Sequence, residues 1–300
     1  NDAAILQAQP SALAFTTDSF VVTPHVFPGG DIGKLAVCGT VNDLAMVGAR
    51  PVALSVGFII EEGLDVGELE RIVASAAQWA ERSGVRIVTG DTKVVERGAA
   101  DKVFINASGV GLVECAEPPS AEMARPGDRV ILSGTVADHG IAILMARDQF
   151  AFEGDIRSDC APLWPLVEEM LEAGVQPRVL RDPTRGGLAT VLNEVAAASE
   201  VGIVIEESAI PLAEPVRGAC DMLGLDPLYV ANEGKLVAVV PPSQADACLD
   251  ALHRLAQGSE AALIGEVTGA SPPGRVTLRT AAGGSRVLDL LAGEQLPRIC

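Results

Sequence analysis

Aromatic residues make up only 3% of this 300-residue chain, too few for the stacking platforms on which single-stranded nucleic acids lie. Positive charge is also scarce. Lys and Arg number 22 against 40 Asp and Glu, a formal net charge of −18. Such a surface repels phosphate backbones and anionic lipid, which argues against nucleic-acid and membrane partners. No apolar run approaches the roughly 18 residues that a membrane helix needs; the longest useful one is 52–60. The opening Asn1-Asp2-Ala3-Ala4 has no basic stretch leading into an apolar one, so no secretory signal is read and cytoplasmic residence is expected. The six cysteines include no CxxC pair, which argues against a zinc knuckle and a small disulfide framework. GxGxxG is missing, which counts against a dinucleotide fold, and GxxxxGK followed by Ser or Thr is missing too, which excludes a Walker-type phosphate loop. His25, His139 and His253 lack metal-ligand spacing and read as structural or surface residues.

What is present is a globular composition, 48% apolar and 21% charged, outside the range of disordered chains. At about 100–200 residues per domain the length predicts two domains. The first half alternates strands (13–23, 52–60, 85–89, 103–113) with helices (34–47 and 66–82). In the second helix Leu69, Ile72, Val73, Ala76 and Ala80 form one apolar stripe, ended by Gly84. The 85–89 segment reads as a short buried strand. Pro118-Pro119-Ser120 breaks the pattern and sets a boundary within 117–126. Beyond it the pattern predicts strands near 129–133, 203–205, 235–240 and 275–279, and helices near 138–147, 161–173, 186–199 and 243–257. The expected organisation is an N-terminal α/β domain over 1–117, a C-terminal α+β domain over 118–290, and a flexible tail over 291–300.

Four acidic motifs follow strand or loop signals: Thr17-Asp18, Asn42-Asp43, Gly90-Asp91-Thr92-Lys93 and Asp182-Pro183-Thr184-Arg185-Gly186-Gly187. Carboxylates converging at a cleft can hold Mg²⁺, which in turn holds a nucleoside triphosphate; each motif alone is also an ordinary turn. The loop Phe27-Pro28-Gly29-Gly30-Asp31-Ile32-Gly33-Lys34 reads equally as an anion cradle at a helix start or as a tight loop. In the 182–187 motif, Arg185 can meet phosphate and the glycines permit close approach, while Asp182 or Thr184 can cap the helix. Glu233, in Asn232-Glu233-Gly234 before an apolar strand, is either a loop carboxylate or, in a partly dry pocket, a general base.

The chain ends Leu296-Pro297-Arg298-Ile299-Cys300. A free thiol with a pKa of about 8.5 is a few per cent thiolate at neutral pH. Nine or ten extended residues reach roughly 30 Å, so a tethered thiol can visit more than one site; an accidental terminal cysteine fits the composition as well. A prenylation signal is excluded, because Pro297 stands where its cysteine would be.

Taken together, Thr17-Asp18-Ser19-Phe20-Val21-Val22, the Phe27-to-Lys34 loop, Gly39-Thr40-Val41-Asn42-Asp43-Leu44-Ala45, Gly90-Asp91-Thr92-Lys93, Phe104-Ile105-Asn106, the 182–187 motif, Asn232-Glu233-Gly234 and the terminal Pro297-Arg298-Ile299-Cys300 closely resemble the HypE family of hydrogenase maturation factors. The likeness spans nearly the whole chain, and the terminal four residues discriminate most. The wider group is the ATP-using superfamily of aminoimidazole ribonucleotide synthetase, thiamine monophosphate kinase and selenophosphate synthetase. The resemblance implies an aminoimidazole ribonucleotide synthetase-like fold of α/β and α+β domains, with N-terminal sheets pairing across a homodimer and ATP between the domains. It implies that a partner, HypF, carbamoylates Cys300. The enzyme then uses ATP to dehydrate that S-carboxamide to S-cyanide (a thiocyanate), and the cyanide passes to iron on the HypC–HypD complex. By the same resemblance Asp18, Asp43 and Asp91 serve Mg²⁺ and phosphate, and Asn42, Thr92 and Lys93 line the site. Asp182, Thr184, Arg185 and Gly186 complete the nucleotide side, Glu233 is the base, and Cys300 is the covalent carrier. Members of that family open with a glycine-rich segment that folds over the triphosphate; the sequence here begins at Asn1, without Met and without that segment.

Two other functions fit the same motifs. One is a small-molecule kinase or synthetase of the superfamily, for which the terminal cysteine is irrelevant. The other is a non-catalytic maturation scaffold, which needs no ATP turnover.

Overall fold

The structure is a computed structural model that describes residues 4–8, 11–148, 155–269 and 273–290. The N-terminal part contributes strands β1 (Ala4–Ala8) and β2 (Ser11–Phe20) and a short hairpin, β3 (Val26–Phe27) with β4 (Gly30–Asp31). Helix α1 (Ile32–Met46), β5 (Ala49–Glu61), helix α2 (Val66–Arg82), β6 (Arg86–Val95) and β7 (Val103–Val113) follow. Five strands form one sheet in the order β1-β2-β7-β5-β6, antiparallel except for β5 and β6, which α2 connects. Among the described residues β1 pairs with β2 over 11–15. Along β2 Ala14, Thr16 and Phe20 are buried while Phe15, Thr17 and Ser19 are exposed, as the two-residue alternation of a strand requires. The buried face packs on α1.

Helix α2 begins where Asp65 accepts a hydrogen bond from the Glu68 N–H at 3.0 Å, with Glu68 in its first turn and Arg82 in its last, both favourable to the helix dipole. Helix α1 is of another kind. Asp31 caps it by accepting from the Lys34 N–H at 2.9 Å, and every residue in it except Asp43 is buried, so it has no polar face to show. Gly33 lets it lie against α2, since a Cβ there would stand 2.3 Å from the Ile72 carbonyl oxygen.

The C-terminal part contains β8 (Arg129–Leu132), α3 (Asp138–Asp148), α4 (Trp164–Glu172), β9 (Val179–Arg181), α5 (Gly187–Ala198), β10 (Gly202–Glu206) and α6 (Glu214–Leu223). It continues with β11 (Val237–Val240), α7 (Ala245–His253), β12 (Ala262–Thr268), β13 (Arg275–Arg279) and β14 (Ser285–Leu288). The sheet order is β14-β13-β10-β12-β8-β11-β9, antiparallel except β10 with β13. Its central strands are buried on both sides. Val130, Leu132, Val237 and Val239 pack with α5, and the alternate residues Ile131, Ala238 and Val240 pack with α4 and α7.

The two parts share α1. Val37, Cys38 and Val41 pack with Cys160 and Ala231 of the C-terminal part, and Ala45 and Met46 join the core that holds Leu163 and Trp164. Among the described residues no helix is long and apolar enough to cross a membrane.

One sequence expectation changes here. The strand expected over 85–89 runs on to Val95 and is exposed almost throughout. It is an edge strand, bonded on one side only to β5, so Gly90-Asp91-Thr92-Lys93 is strand rather than a turn beyond it.

Candidate functional site

A cleft of about 360 Å³ opens where β2 and the side of α1 face the start of α5, within the size range of small-ligand sites. β2 supplies Thr16, Thr17 and Asp18, and α1 supplies Gly39 and Asp43. Asp43, the one α1 residue not buried, accepts a 2.7 Å hydrogen bond from Thr16 Oγ1. Burial pushes the Asp18 carboxyl above its usual value, opposed by the Ser19 N–H, which donates to it at 2.7 Å, and by the charge of Arg185.

The opposite wall comes from the end of β9 and the loop into α5: Arg181, Asp182, Thr184 and Arg185, with Thr190 and Glu194 on the helix. Gly186 and Gly187 have φ of +71° and +60°, the left-handed region that glycine enters without penalty. A Cβ on Gly187 would also stand 2.6 Å from the Val230 carbonyl oxygen. The helix N-cap is Gly186, without a side-chain cap. The cap position of α5 is thus bare, and Thr190 in its first turn lines the cleft; a helix start of this kind favours an anion. Arg181 donates to Glu194 at 2.8 Å, which holds that guanidinium along the wall; Arg185 is exposed at the rim.

Glu233 lines the same cleft and is buried. Its Oε1 has no hydrogen-bond partner. Burial drives its carboxyl well above the ordinary range, and Cys160, Asp182, Asp159 and Asp18 add to that. A buried carboxyl oxygen without a partner at a cleft is the setting in which perturbed acids and bases are found.

The structure thus brings together Asp18, Asp43, Asp182, Thr184, Arg185 and Glu233, with Gly186 beside them. Other sequence candidates lie elsewhere. Asn42 does not line the cleft. Its amide nitrogen donates to the carbonyls of Ala161 (3.1 Å) and Glu233 (3.3 Å), and its oxygen accepts from the Leu163 N–H at 2.7 Å. It fastens α1 to the C-terminal part from behind. Asp91, Thr92 and Lys93 are exposed on β6. The cross-sheet row Ser19–Asn106–Gly57–Asp91 puts Asp91 three strand spacings from β2, about 14 Å, on the face that Ser19 and Asn106 share. Among the described residues no three carboxylates, histidines or cysteines converge as metal ligands, so Asp18, Asp43 and Asp91 do not meet within one chain.

The Phe27-to-Lys34 loop is a tight structural loop. The Lys34 ammonium donates to the Gly29 carbonyl at 2.8 Å and lies 4.1 Å from the centre of the Trp79 ring. His139 is buried, its Nδ1 2.8 Å from Ser158 Oγ, the structural role expected. Burial lifts the Cys115 and Cys220 thiols to about 11 and Cys248 to about 12, which leaves them inert. Cys300 and the 291–300 tail lie outside the described residues. The sequence reading missed Thr16, Arg181, Thr190 and Glu194. The only signal was positional, since Thr16 shares Asp18's side of β2 and Arg181 precedes Asp182.

Comparison with known proteins agrees with this architecture. Residues 1–113 match the family model of the AIR synthase related protein N-terminal domain, and 125–276 that of its C-terminal domain. Carbamoyl dehydratase HypE of Rhodobacter capsulatus is 56% identical over 298 residues, covering 98% of this chain and 86% of that protein. The crystal structure of hydrogenase maturation protein HypE in complex with ATP superimposes with a TM-score of 0.93 at 53% identity, covering 100% of this chain and 90% of that one. The crystal structure of a HypE–HypF complex gives a TM-score of 0.92 at 48% identity, covering 97% and 93%. The fold is therefore the two-domain, AIR synthase-like one expected from the motifs, and the chain belongs to the carbamoyl dehydratase HypE family.

Proposed function

We propose that the chain is an ATP-dependent carbamoyl dehydratase of hydrogenase maturation, with the cleft between β2 and α5 as its active site. The observation that carries this reading is the pairing of an anion-ready wall with a buried, unpartnered carboxyl. The α5 start and Arg185 face Asp18 and Asp43 across the cleft, and Glu233 lies at its base.

The chemistry asks for both. An amide oxygen is a poor leaving group, and phosphorylation by the γ-phosphoryl of ATP makes it a good one. The oxygen of Cys300–S–C(=O)NH₂ attacks phosphorus and ADP departs. The nitrogen then loses its two protons, the C–O bond breaks, and phosphate leaves a C≡N group on sulfur. Arg185 and the α5 N–H groups neutralise triphosphate charge. Glu233 accepts a proton from nitrogen, and the burial that raises its pKa makes it a stronger base than a free carboxylate.

Asp18 and Asp43, with the Thr16 hydroxyl, are hard oxygen donors that would fit Mg²⁺. An ion held there would supply charge neutralisation to the phosphates. Asp91, Thr92 and Lys93 join the site from a second copy. The exposed apolar residues Ile59, Ile87, Val88 and Val94 on β5 and β6, beside the open sheet face, support such a homodimer. HypF is the carbamoyl donor, the HypC–HypD complex the cyanide acceptor, and the cytoplasm the compartment. The chain divides at 117/118, with 291–300 as the tail that carries Cys300.

The test is the intact mass of the tail peptide after the carbamoylated chain meets ATP. Loss of one water from the Cys300 adduct is expected, and Cys300→Ala is expected to end all product. A Cys300→Ala chain that still phosphorylates a small molecule would make the protein a kinase, and an adduct unchanged by ATP would remove the dehydratase reading.

A further inference from the structure

The Glu233 carboxyl stands on a loop that is tied by its backbone to the 159–161 segment. Asp159 makes the seam. Its Oδ1 accepts from the Glu233 N–H and its Oδ2 from the Gly234 N–H, both at 3.1 Å. The Lys235 ammonium donates to Oδ2 at 3.2 Å and lies 3.7 Å from Asp138. The Glu233 carbonyl accepts from Ala161 N–H at 3.4 Å and from Asn42 at 3.3 Å. The Asp159 and Lys235 side chains are 3% and 11% exposed, so this is an interior ion pair and not a surface one.

A buried ion pair is a weak source of stability, because desolvation offsets the attraction, and what it gives is a fixed geometry. Here the geometry fixed is that of one residue. We propose that Asp159, clamped by Lys235, is a positioning residue for Glu233: it holds the backbone on both sides of that residue and so aims the carboxyl into the cleft. The proposal rests on the reading of Glu233 as the proton acceptor.

Asp159 does a second thing by the same contact. Burial alone would raise its pKa, but Lys235, His139 and the Glu233 N–H hold it below the ordinary value. It therefore favours the anionic form beside Glu233. The groups that face Glu233 are Cys160 and Asp159 from the 158–161 segment, Asp182 from the α5 loop and Asp18 from β2. Each disfavours a second negative charge, and Asp159 is the one bonded to Glu233's own backbone.

The test compares the full chain with Asp159→Asn, Glu233→Gln and the double variant, following dehydration of the carbamoylated tail as a function of pH and ATP. Asp159→Asn opposes an N–H donor to one loop amide and removes the anion. Its kcat is expected to fall about 10- to 100-fold, as small misplacements of reacting groups do, with the KM for ATP unchanged. The acidic limb of its kcat profile moves to lower pH, because Glu233 ionises more easily without the anion. The double variant is no slower than Glu233→Gln alone, since Asp159 acts through Glu233. A purely structural Asp159 would move stability but not the pH limb. Wild-type kcat and limb in Asp159→Asn, with Glu233→Gln inactive, overturn the positioning role alone; full activity in Glu233→Gln overturns the base assignment and this proposal with it. If Asp159→Asn does not fold, Lys235→Met decides, since it keeps both amide hydrogen bonds. A several-fold lower kcat at unchanged KM supports the proposal, and wild-type kcat overturns it.

Discussion

Two helix starts in this molecule are written in the same letters. The loop into α1 and the loop into α5 each hold glycines, an Asp and a basic residue, and each lies near one buried ionisable side chain. At α1 every group is spent inward. Asp31 caps the helix, Ser158 N–H donates to the Pro28 carbonyl at 2.9 Å, and Lys34 is held by Gly29 and Trp79. At α5 the cap position is a bare glycine, Arg185 is exposed, and Glu233, on the loop packed under Pro183 and Gly187, keeps an unpartnered oxygen. What separates a structural loop from a binding one is whether its polar groups are already satisfied.

That contrast can be broken or sharpened by substitution. Glu233→Gln is expected to have the largest effect, slowing dehydration about a hundred- to ten-thousandfold in single-turnover rates, the range for a lost general base. The same variant reports on pH. A carboxyl raised in the folded state adds stability below its unfolded pKa and loses it as pH rises through the folded value. Glu233→Gln should therefore gain stability over wild type as denaturation is measured at higher pH, and a constant difference would contradict the raised value. Next is Gly33→Ala at the α1 start, which forces a Cβ onto the Ile72 carbonyl and should cost about 3 kcal/mol in urea unfolding, as overpacking does. ATP binding by the folded fraction should be unaltered. Arg185→Ala at the α5 start should do the reverse, raising the KM for ATP roughly tenfold, about 1.4 kcal/mol, with Tm preserved. The smallest effect is expected of Lys34→Met, a loss of about 1 kcal/mol of stability from the cation–π contact, without change in ATP binding. A weakened ATP affinity in that variant would erase the distinction between the two loops.

Much of this was legible from residue pattern. Helical spacing from Leu69 to Ala80 predicts α2 with its observed bounds; of that stripe Ile72, Ala76 and Ala80 are buried, whereas Val73 is 44% exposed. Several elements escape such reading, α6 and β12 among them, and β6 in part. α6 buries only Val216, Ala219 and Cys220, too small a stripe to stand out. β12 carries a bulge between Leu263 and Gly265, which breaks the alternation that marks a strand. β6 runs through Gly90-Asp91, letters of a turn, because Gly90 allows the Val56 carbonyl to approach where a Cβ would clash. The cleft carboxylates were legible as motifs, whereas the partition of Asn42 to the rear and Asp91 to another face depends on pairing between distant strands. Asp159 and Lys235 are 76 positions apart, and nothing local links them.

Helix α1 has one further consequence. Because its flanks belong to the interior of both parts, the walls of the cleft share an axle that would have to be stripped of its packing before they could swing. The site is a berth of set width, not a pair of jaws, and Asp43, the α1 residue that is not buried, is where that axle meets it.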